Sequence, residues 1–330
     1  MYLLPKPKTI KEQDGQMLLC HSTHIVMTKE VAETEMHAAK RLQEAIRQET
    51  GLILPFSVGE VREGDLSLGI AKTLPEQTYE ITIDEKGGQI SGGDGAGVLY
   101  GVETFCQIVQ QCGGILPCVQ IQDAPDMPNR GYYFDQTRGR VLKLEELKKI
   151  ADRMCRYKLN QLQLYVEHTY LFRDFSEMWR DQTPLTAEEI LELDSYCRER
   201  HIELVPSLAS FGHLCTLLST KTYGDLCEME DSWKEPFSFW NRMRYHTINV
   251  SDERSLPLIK KMIAEYEDAE RDSRHDSERI YGLNLHHKHL PEMEYVCGLM
   301  HAPVFVPIVG DFYKGMATTV MLRGVDAHIV

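Results

Sequence analysis

The 330-residue chain lacks several features that would have classed it at once. Its nine cysteines include no CxxC pair, are odd in number and are scattered through apolar segments. That argues against a disulfide framework or a zinc site and for buried, reduced thiols in a cytoplasmic protein. There is no excess of positive charge: 36 Lys and Arg face 50 Asp and Glu, a formal net charge of -14. Neither a nucleic-acid backbone nor an anionic membrane surface is therefore an expected partner, and a neutral or polar small molecule is. The opening MYLLPKPKTI has no signal-peptide core, and no apolar run reaches membrane-spanning length. Without GxSxG there is no nucleophile elbow, and HHKH (286–289) has no partner cluster at zinc spacing, so no metal is expected.

What is present alternates two hydrophobic periods. Over residues 1–125 this predicts a small α/β domain. EVAETEMHAAKRLQEAIRQETG (30–51) has a helical period closed by Gly51, and YEITIDEKGGQISGG (79–93) alternates as two strands around a Gly87-Gly88 turn. GDGAGVLYGVETFCQIVQQ (93–111) opens rich in glycine and becomes a helix. Lacking both the Lys-Ser/Thr of a P-loop and a GxGxxG spacing, it reads as a hairpin-to-helix turn rather than a phosphate cradle.

The two prolines of IQDAPDMPNRG (121–131) mark a domain boundary. Beyond it three strands, 131–135, 159–166 and 202–210, each precede a helix. The first helix has apolar Leu144, Leu147, Ile150, Ala151 and Met154; the second buries Ile190, Leu193 and Cys197 behind a Thr186–Glu189 capping box; the third aligns Leu256, Ile259, Met262, Ile263 and Tyr266. Long polar loops after the strands predict the opening of a (β/α)8 barrel over 126–266, with a doubly wound sheet as the other arrangement that periodicity allows.

The pattern stops at residue 267. EDAERDSRHDSER holds six acids and three arginines in thirteen residues, so it cannot be a buried fourth strand. Apolar character resumes in MHAPVFVPIVGDFYKGMATTVMLRG (300–324), read as strands broken by Pro303 and Pro307. The expected fold class is α/β: a small N-terminal domain, an incomplete TIM-type barrel, and an α+β tail over 267–330. A homodimer would cover the open sheet edges of such a barrel.

Polar groups at barrel strand ends are the best-placed candidates for chemistry. Arg130 flanks the first strand and Asp135 ends it, Glu167 and His168 follow the second, and His213 follows the third. On one rim they would suit a polyhydroxylated ligand. Equally, Arg130 and Asp135 would serve as structural partners of each other or of loop backbone, and His213 as a hydrogen-bonding residue.

PCVQIQDAPDMPNRGYYFDQTRGRVLKLEELKKIADRMCRYKLNQLQLYVEH resembles glycoside hydrolase family 20, the β-N-acetylhexosaminidases. The resemblance rests on Asp123, Ala124 and Pro125 before Arg130-Gly131, on Asp135 followed by Arg138, and on the helix leading to YKLN (157–160). Further on, LTAEEILELDSYCRERHIELVPSLASFGH looks like the second helix and third strand, and GAGVLYGVETFCQIV like part of the N-terminal domain. Together these cover residues 1 to about 266. The resemblance implies a cofactor-free, exo-acting hydrolase of terminal N-acetylhexosamine on glycans. In that family the substrate's acetamido carbonyl attacks the anomeric carbon, an Asp orients it, and the adjacent Glu is the general acid. Arg130 matches the arginine that holds the terminal sugar's hydroxyls, and His213 the histidine of the third-strand loop. Glu167 and His168 fall where the family places an Asp-containing loop, and PSLASFGH departs from the family's more acidic form.

The Asp-Glu pair that should end a fourth strand does not follow the helix 255–266; Glu267-Asp268 is reversed and lies in the charged run. The tail instead resembles N-acetyl-γ-glutamyl-phosphate reductase, whose H-x-H-x-P-E motif maps to His287, His289, Pro291 and Glu292. KKMIAEY (260–266) fits either family, which implies a chimaera joined there. The expectation is a truncated family 20 chain with impaired or absent hydrolysis. The alternatives are a non-catalytic carbohydrate-binding remnant and a fragment of the reductase.

Overall fold

The alternation of residues 79–92 builds a hairpin at the centre of a seven-stranded sheet. In chain order this region forms β1 (Thr9–Leu18), β2 (Ile25–Met27), α1 (Lys29–Thr34), α2 (Met36–Thr50), β3 (Phe56–Val58), β4 (Leu66–Ile70), β5 (Tyr79–Asp84), β6 (Gly87–Gly92), α3 (Gly95–Cys112) and β7 (Ile115–Asp123). The strand order is β1-β7-β5-β6-β4-β2-β3. The computed structural model describes residues 1–229 and 247–268, and the backbone of three short strands at 279–280, 304–309 and 317–321. Two compact units make up the chain: Met1–Tyr132 with Leu147–Gln161 and Ser195–Glu203, and Tyr133–Glu146 with Leu162–Asp194 and Leu204–Val330.

In the first unit two sequence expectations are corrected. The helix over 30–51 is two helices, because at Glu35 the backbone leaves helical geometry (φ -122°, ψ 27°) and its buried carboxylate lies 2.8 Å from His201 Nε2. The β5–β6 connection is Glu85-Lys86, not Gly87-Gly88. Asp84 Oδ1 accepts the N–H of Lys86 at 2.8 Å and of Gly87 at 3.1 Å, and Gly87 already opens β6 at φ 153°, with Asp65 O 2.6 Å from where a Cβ would stand.

The glycine-rich turn before α3 is a packing device. Asp94 caps the helix, its Oδ1 accepting from Gly97 N at 2.7 Å and Gln77 N at 2.9 Å, so a carboxylate already occupies the place an anion would take. At Gly97 a Cβ would stand 2.3 Å from Thr78 O, which lets the buried helix sit hard against the turn before β5. Gly97→Ala is expected to destabilise the protein by about 1–3 kcal/mol, the usual cost of overpacking. Urea unfolding checks it, and an unchanged midpoint would show that the backbone yields freely there. α3 is buried on every side from Ala96 to Val109, and Val98, Leu99, Val102, Phe105, Ile108 and Val109 are all fully buried.

Three βα units follow, as the periodicity predicts: β8 (Gly131–Asp135), α4 (Leu144–Arg156), β9 (Gln161–Val166), the short α5 (Ser176–Trp179), α6 (Ala187–Arg198), β10 (Glu203–Leu208), the short α7 (Cys215–Leu218) and α8 (Ser255–Asp268). The sheet order is β10-β9-β8. Its hydrogen bonds advance in the same direction along both neighbours, Asn160 N to Arg130 O and then Gln136 N to Tyr165 O, Glu203 N to Asn160 O and then Ala209 N to Val166 O. The strands are therefore parallel. α4 buries Leu144, Leu147, Ala151, Met154 and Cys155 but leaves Ile150 partly exposed. α6 starts on the expected capping box, with Thr186 N donating to Glu189 Oε2 at 2.9 Å and Glu189 N to Thr186 Oγ1 at 3.2 Å.

In the second unit, edge-to-face contacts run from Phe175 to Phe172, Tyr170 and Tyr266, with Tyr223 stacked on Phe175. Each such pair adds about 0.5–1.5 kcal/mol beyond the area it buries. α8 carries Glu267-Asp268 as its last residues, so that reversed pair lies in a helix and not at a strand end.

A third, antiparallel sheet has the order β11-β12-β13, from Arg279–Ile280, Val304–Val309 and Ala317–Met321. Pro307 does not break its strand: it pairs with Thr318 inside β12, while β11 reaches only Ile308 and Val309. At Pro307 the strand has one ladder to supply, so the missing N–H is tolerated. Among the described residues no helix is long and apolar enough to cross a membrane.

Candidate functional site

At the carboxyl ends of β8 and β9 the second unit assembles a chain of polar contacts. Asp135 closes β8 and folds back on its own loop: Oδ1 accepts the backbone N–H of Thr137 and of Arg138, each at 2.9 Å, and Oδ2 accepts Arg138 Nε at 2.6 Å. Burial would raise its pKa, but these bonds more than reverse that and hold the carboxyl below the usual range. Asp135 is thus an ionised acceptor at neutral pH, not a proton donor. The Arg138 guanidinium lies over the Tyr165 ring, 5.3 Å from its centroid.

Tyr165 O–H donates to Glu167 Oε1 at 2.9 Å, and Glu167 N donates to Thr137 Oγ1 at 2.9 Å. Burial first, and then the Glu167 charge, push the Tyr165 phenol far up, so it stays a neutral donor. Glu167 and His168 are both buried, and His168 Nδ1 is 3.2 Å from Thr216 Oγ1 on α7. His213 follows β10 in the left-handed region, φ 61°, partly exposed.

The structure therefore joins Asp135 to Glu167 through Arg138 and Tyr165, with His168 next in sequence. Tyr165 was not among the sequence candidates, although strand alternation puts it on the face of Glu167 two residues on. Arg130 is placed differently. It stands just before β8, at the other end of that strand from Asp135, and its guanidinium is engaged within the first unit: Nε donates to Lys158 O at 2.7 Å and Nη1 to Gln77 Oε1 at 2.8 Å.

An Asp-Glu dipeptide does occur close to α8, as Asp252-Glu253, but ahead of the helix. Asp252 is committed to Arg254, whose guanidinium donates to both its oxygens and lowers it to about 2. Among the described residues no group of three or more His, Cys, Asp or Glu side chains is placed to hold a metal ion. His287, His289 and Glu292 lie outside the described residues.

Residues 1–124 match the model of glycosyl hydrolase family 20, domain 2. Over this stretch the chain is similar to family 20. A β-hexosaminidase of Porphyromonas gingivalis is 25% identical over 245 residues, covering 66% of this chain and 31% of that protein. The chain thus spans about a third of the length of the curated β-hexosaminidases it matches. The solved family 20 β-N-acetylhexosaminidase of Streptomyces coelicolor superposes with a TM-score of 0.68 at 20% identity, over 81% of this chain and 57% of that one, a likeness of fold. The C-terminal part is similar to another protein: N-acetyl-gamma-glutamyl-phosphate reductase of Mesorhizobium japonicum, 42% identical over 74 residues, 22% of each chain. The family 20 resemblance and the resemblance of the tail both stand.

Proposed function

We propose that this chain recognises a terminal N-acetylhexosamine at the ends of β8–β10 and hydrolyses its glycosidic bond poorly or not at all. The observation that carries this is the contact chain Asp135–Arg138–Tyr165–Glu167: it offers a fixed anionic acceptor suited to sugar hydroxyls, while Asp135 is held ionised by its neighbours rather than poised to give up a proton. Recognition draws on Asp135, Glu167, His168 and His213. Arg130, matched by resemblance to a sugar-holding arginine, is left out because its hydrogen bonds belong to the first unit.

Calorimetry of the full chain with N-acetylglucosamine and N-acetylgalactosamine tests the binding, and release of an aryl leaving group from its β-N-acetylglucosaminide tests the turnover. Saturable binding is expected, weakened about tenfold in Asp135→Asn, since a hydrogen bond to a charged group contributes roughly 1.5–3 kcal/mol. Circular dichroism shows whether that variant keeps its fold. Ordinary turnover would overturn the impairment, and absence of binding to both sugars would overturn the recognition.

The stretch 42% identical to a reductase supports a second reading, that the tail derives from a dehydrogenase and was joined near residues 260–266. Sequencing reads across codons 255–285 test the junction. Binding of NADP by the chain would favour a reductase role, and its failure would dispose of one.

A further inference from the structure

We propose that the first unit binds a small organic anion, a carboxylate or a phosphate monoester, in the cavity lined by Arg130, Lys158 and Tyr100. The cavity holds about 220 Å³ and is also walled by Tyr79, Gln77 and Asp123. At roughly 30 Å³ per water, that is room for about seven waters or a compact ligand with a few carbons.

The donor accounting points to an anion. Arg130 has five N–H groups. Nε serves Lys158 O; the two on Nη1 serve Gln77 Oε1 at 2.8 Å, Met127 O at 2.8 Å and Pro128 O at 2.9 Å; one on Nη2 serves Tyr100 Oη at 3.1 Å. Every one of these acceptors is neutral, so no carboxylate balances the guanidinium among the described residues, and one Nη2 N–H is unspent. Tyr100, only 2% exposed, accepts that bond, and its own proton has no acceptor among the described residues. Burial, outweighing Arg130, raises its pKa to about 12, so the O–H persists at neutral pH.

Lys158 supplies the second cation. It is 5% exposed, and Nζ donates to Tyr79 Oη at 2.7 Å and to Asp123 Oδ2 at 3.3 Å, leaving its third N–H over. Burial lowers it to about 8 against the pull of Asp123, which still leaves it largely charged at pH 7. Among the described residues Asp123 is the one carboxylate hydrogen-bonded to these groups, and its oxygens already accept from Lys8 N and from the Tyr79 hydroxyl; Asp126, also on the cavity wall, pairs with Lys8 Nζ at 2.8 Å. Among the described residues these two buried or half-buried cations share one hydrogen-bonded carboxylate, and three donors have no acceptor.

The backbone supports the same reading. Lys158 caps α4 at φ 60° and Gln77 sits at φ 59°, positions that usually take glycine or asparagine and that cost another residue about 1–2 kcal/mol. Both strained residues present their side chains to the same cavity.

The test is calorimetric titration of the full chain at pH 7 with inorganic phosphate and, separately, with acetate. Expected is saturable one-to-one binding of at least one, weakened about tenfold in Tyr100→Phe, which removes one O–H donor and keeps the ring. Should that variant not fold, Arg130→Lys, which keeps the charge but loses the second Nη2 donor, is expected to show the same loss. Phosphate alone binding assigns the site to phosphate esters, and acetate binding as well extends it to carboxylates. Lack of saturable binding of either anion at millimolar concentration, or binding that the folded variants leave unchanged, overturns the proposal. N-acetylglucosamine is not expected to compete, so this site and the β8–β10 rim are read separately.

Discussion

Glu103→Ala is expected to destabilise the first unit by about 3 kcal/mol. Glu103 lies on α3, 3% exposed, and its Oε1 accepts from Arg41 Nε and, at 3.5 Å, from the Cys155 thiol. Burial alone would lower the Arg41 pKa; the charge and hydrogen bond of Glu103 more than reverse it. The Cys155 thiol is pushed well up by burial and then by Glu103, so it remains a donor. Removing the carboxylate leaves a three-quarters-buried guanidinium with, among the described residues, only Asp152, 3.6 Å from Nη1, to balance it. Breaking a buried pair by deleting one partner costs about 3–5 kcal/mol, and Asp152 puts this case at the low end. Urea unfolding of Glu103→Ala, Arg41→Met and the double variant measures it. A coupling below about 0.5 kcal/mol would mean that the two side chains do not depend on each other.

That network shows what the sequence made legible and what it hid. Period and capping identify α6 outright, because Ile190, Leu193 and Cys197 share a face and Thr186 and Glu189 cap each other. The three parallel strands follow from the same local signals. Contacts that join distant segments do not. Arg130 beside a strand looks like a rim residue until Gln77, Tyr100 and Lys158, 28 to 53 residues away in sequence, are seen to take its hydrogen bonds. Lys158 itself passes for an ordinary charge within YKLN, since neither its burial nor its left-handed backbone is a property of composition. Glu35 breaks a helix whose hydrophobic period runs straight through it, because a histidine 166 residues on holds its carboxylate. Pro307 reads as a strand breaker because a breaker and a residue with a single ladder partner are alike until the partners are known.

Lowering the pH from 7.5 to 4.5 is expected to weaken the protein by about 2 kcal/mol through His37 alone. The ring is mostly buried, its Nε2 has no hydrogen-bond partner among the described residues, and its Nδ1 is 3.9 Å from Glu199. Burial first, then the positive charges of Arg200 and Arg41 and the neighbouring His201, lower its pKa from 6.5 to about 4, with Asp152 opposing. In the unfolded chain the ring takes up its proton near pH 6.5, in the native protein only near pH 4. Between those values the unfolded state holds more protons, so stability is full above about pH 6.5 and falls as the pH drops toward 4. A drop of that size amounts to roughly 3 kcal/mol for a fully buried group, and the ring's solvent-facing edge reduces it to about 2. Carboxylates titrate over the same range, so the measurement is a difference: urea unfolding of wild type and His37→Gln at pH 7.5, 6, 5 and 4.5. The variant is expected to lose less stability across the series. Parallel curves would show that His37 keeps the same affinity for protons folded and unfolded.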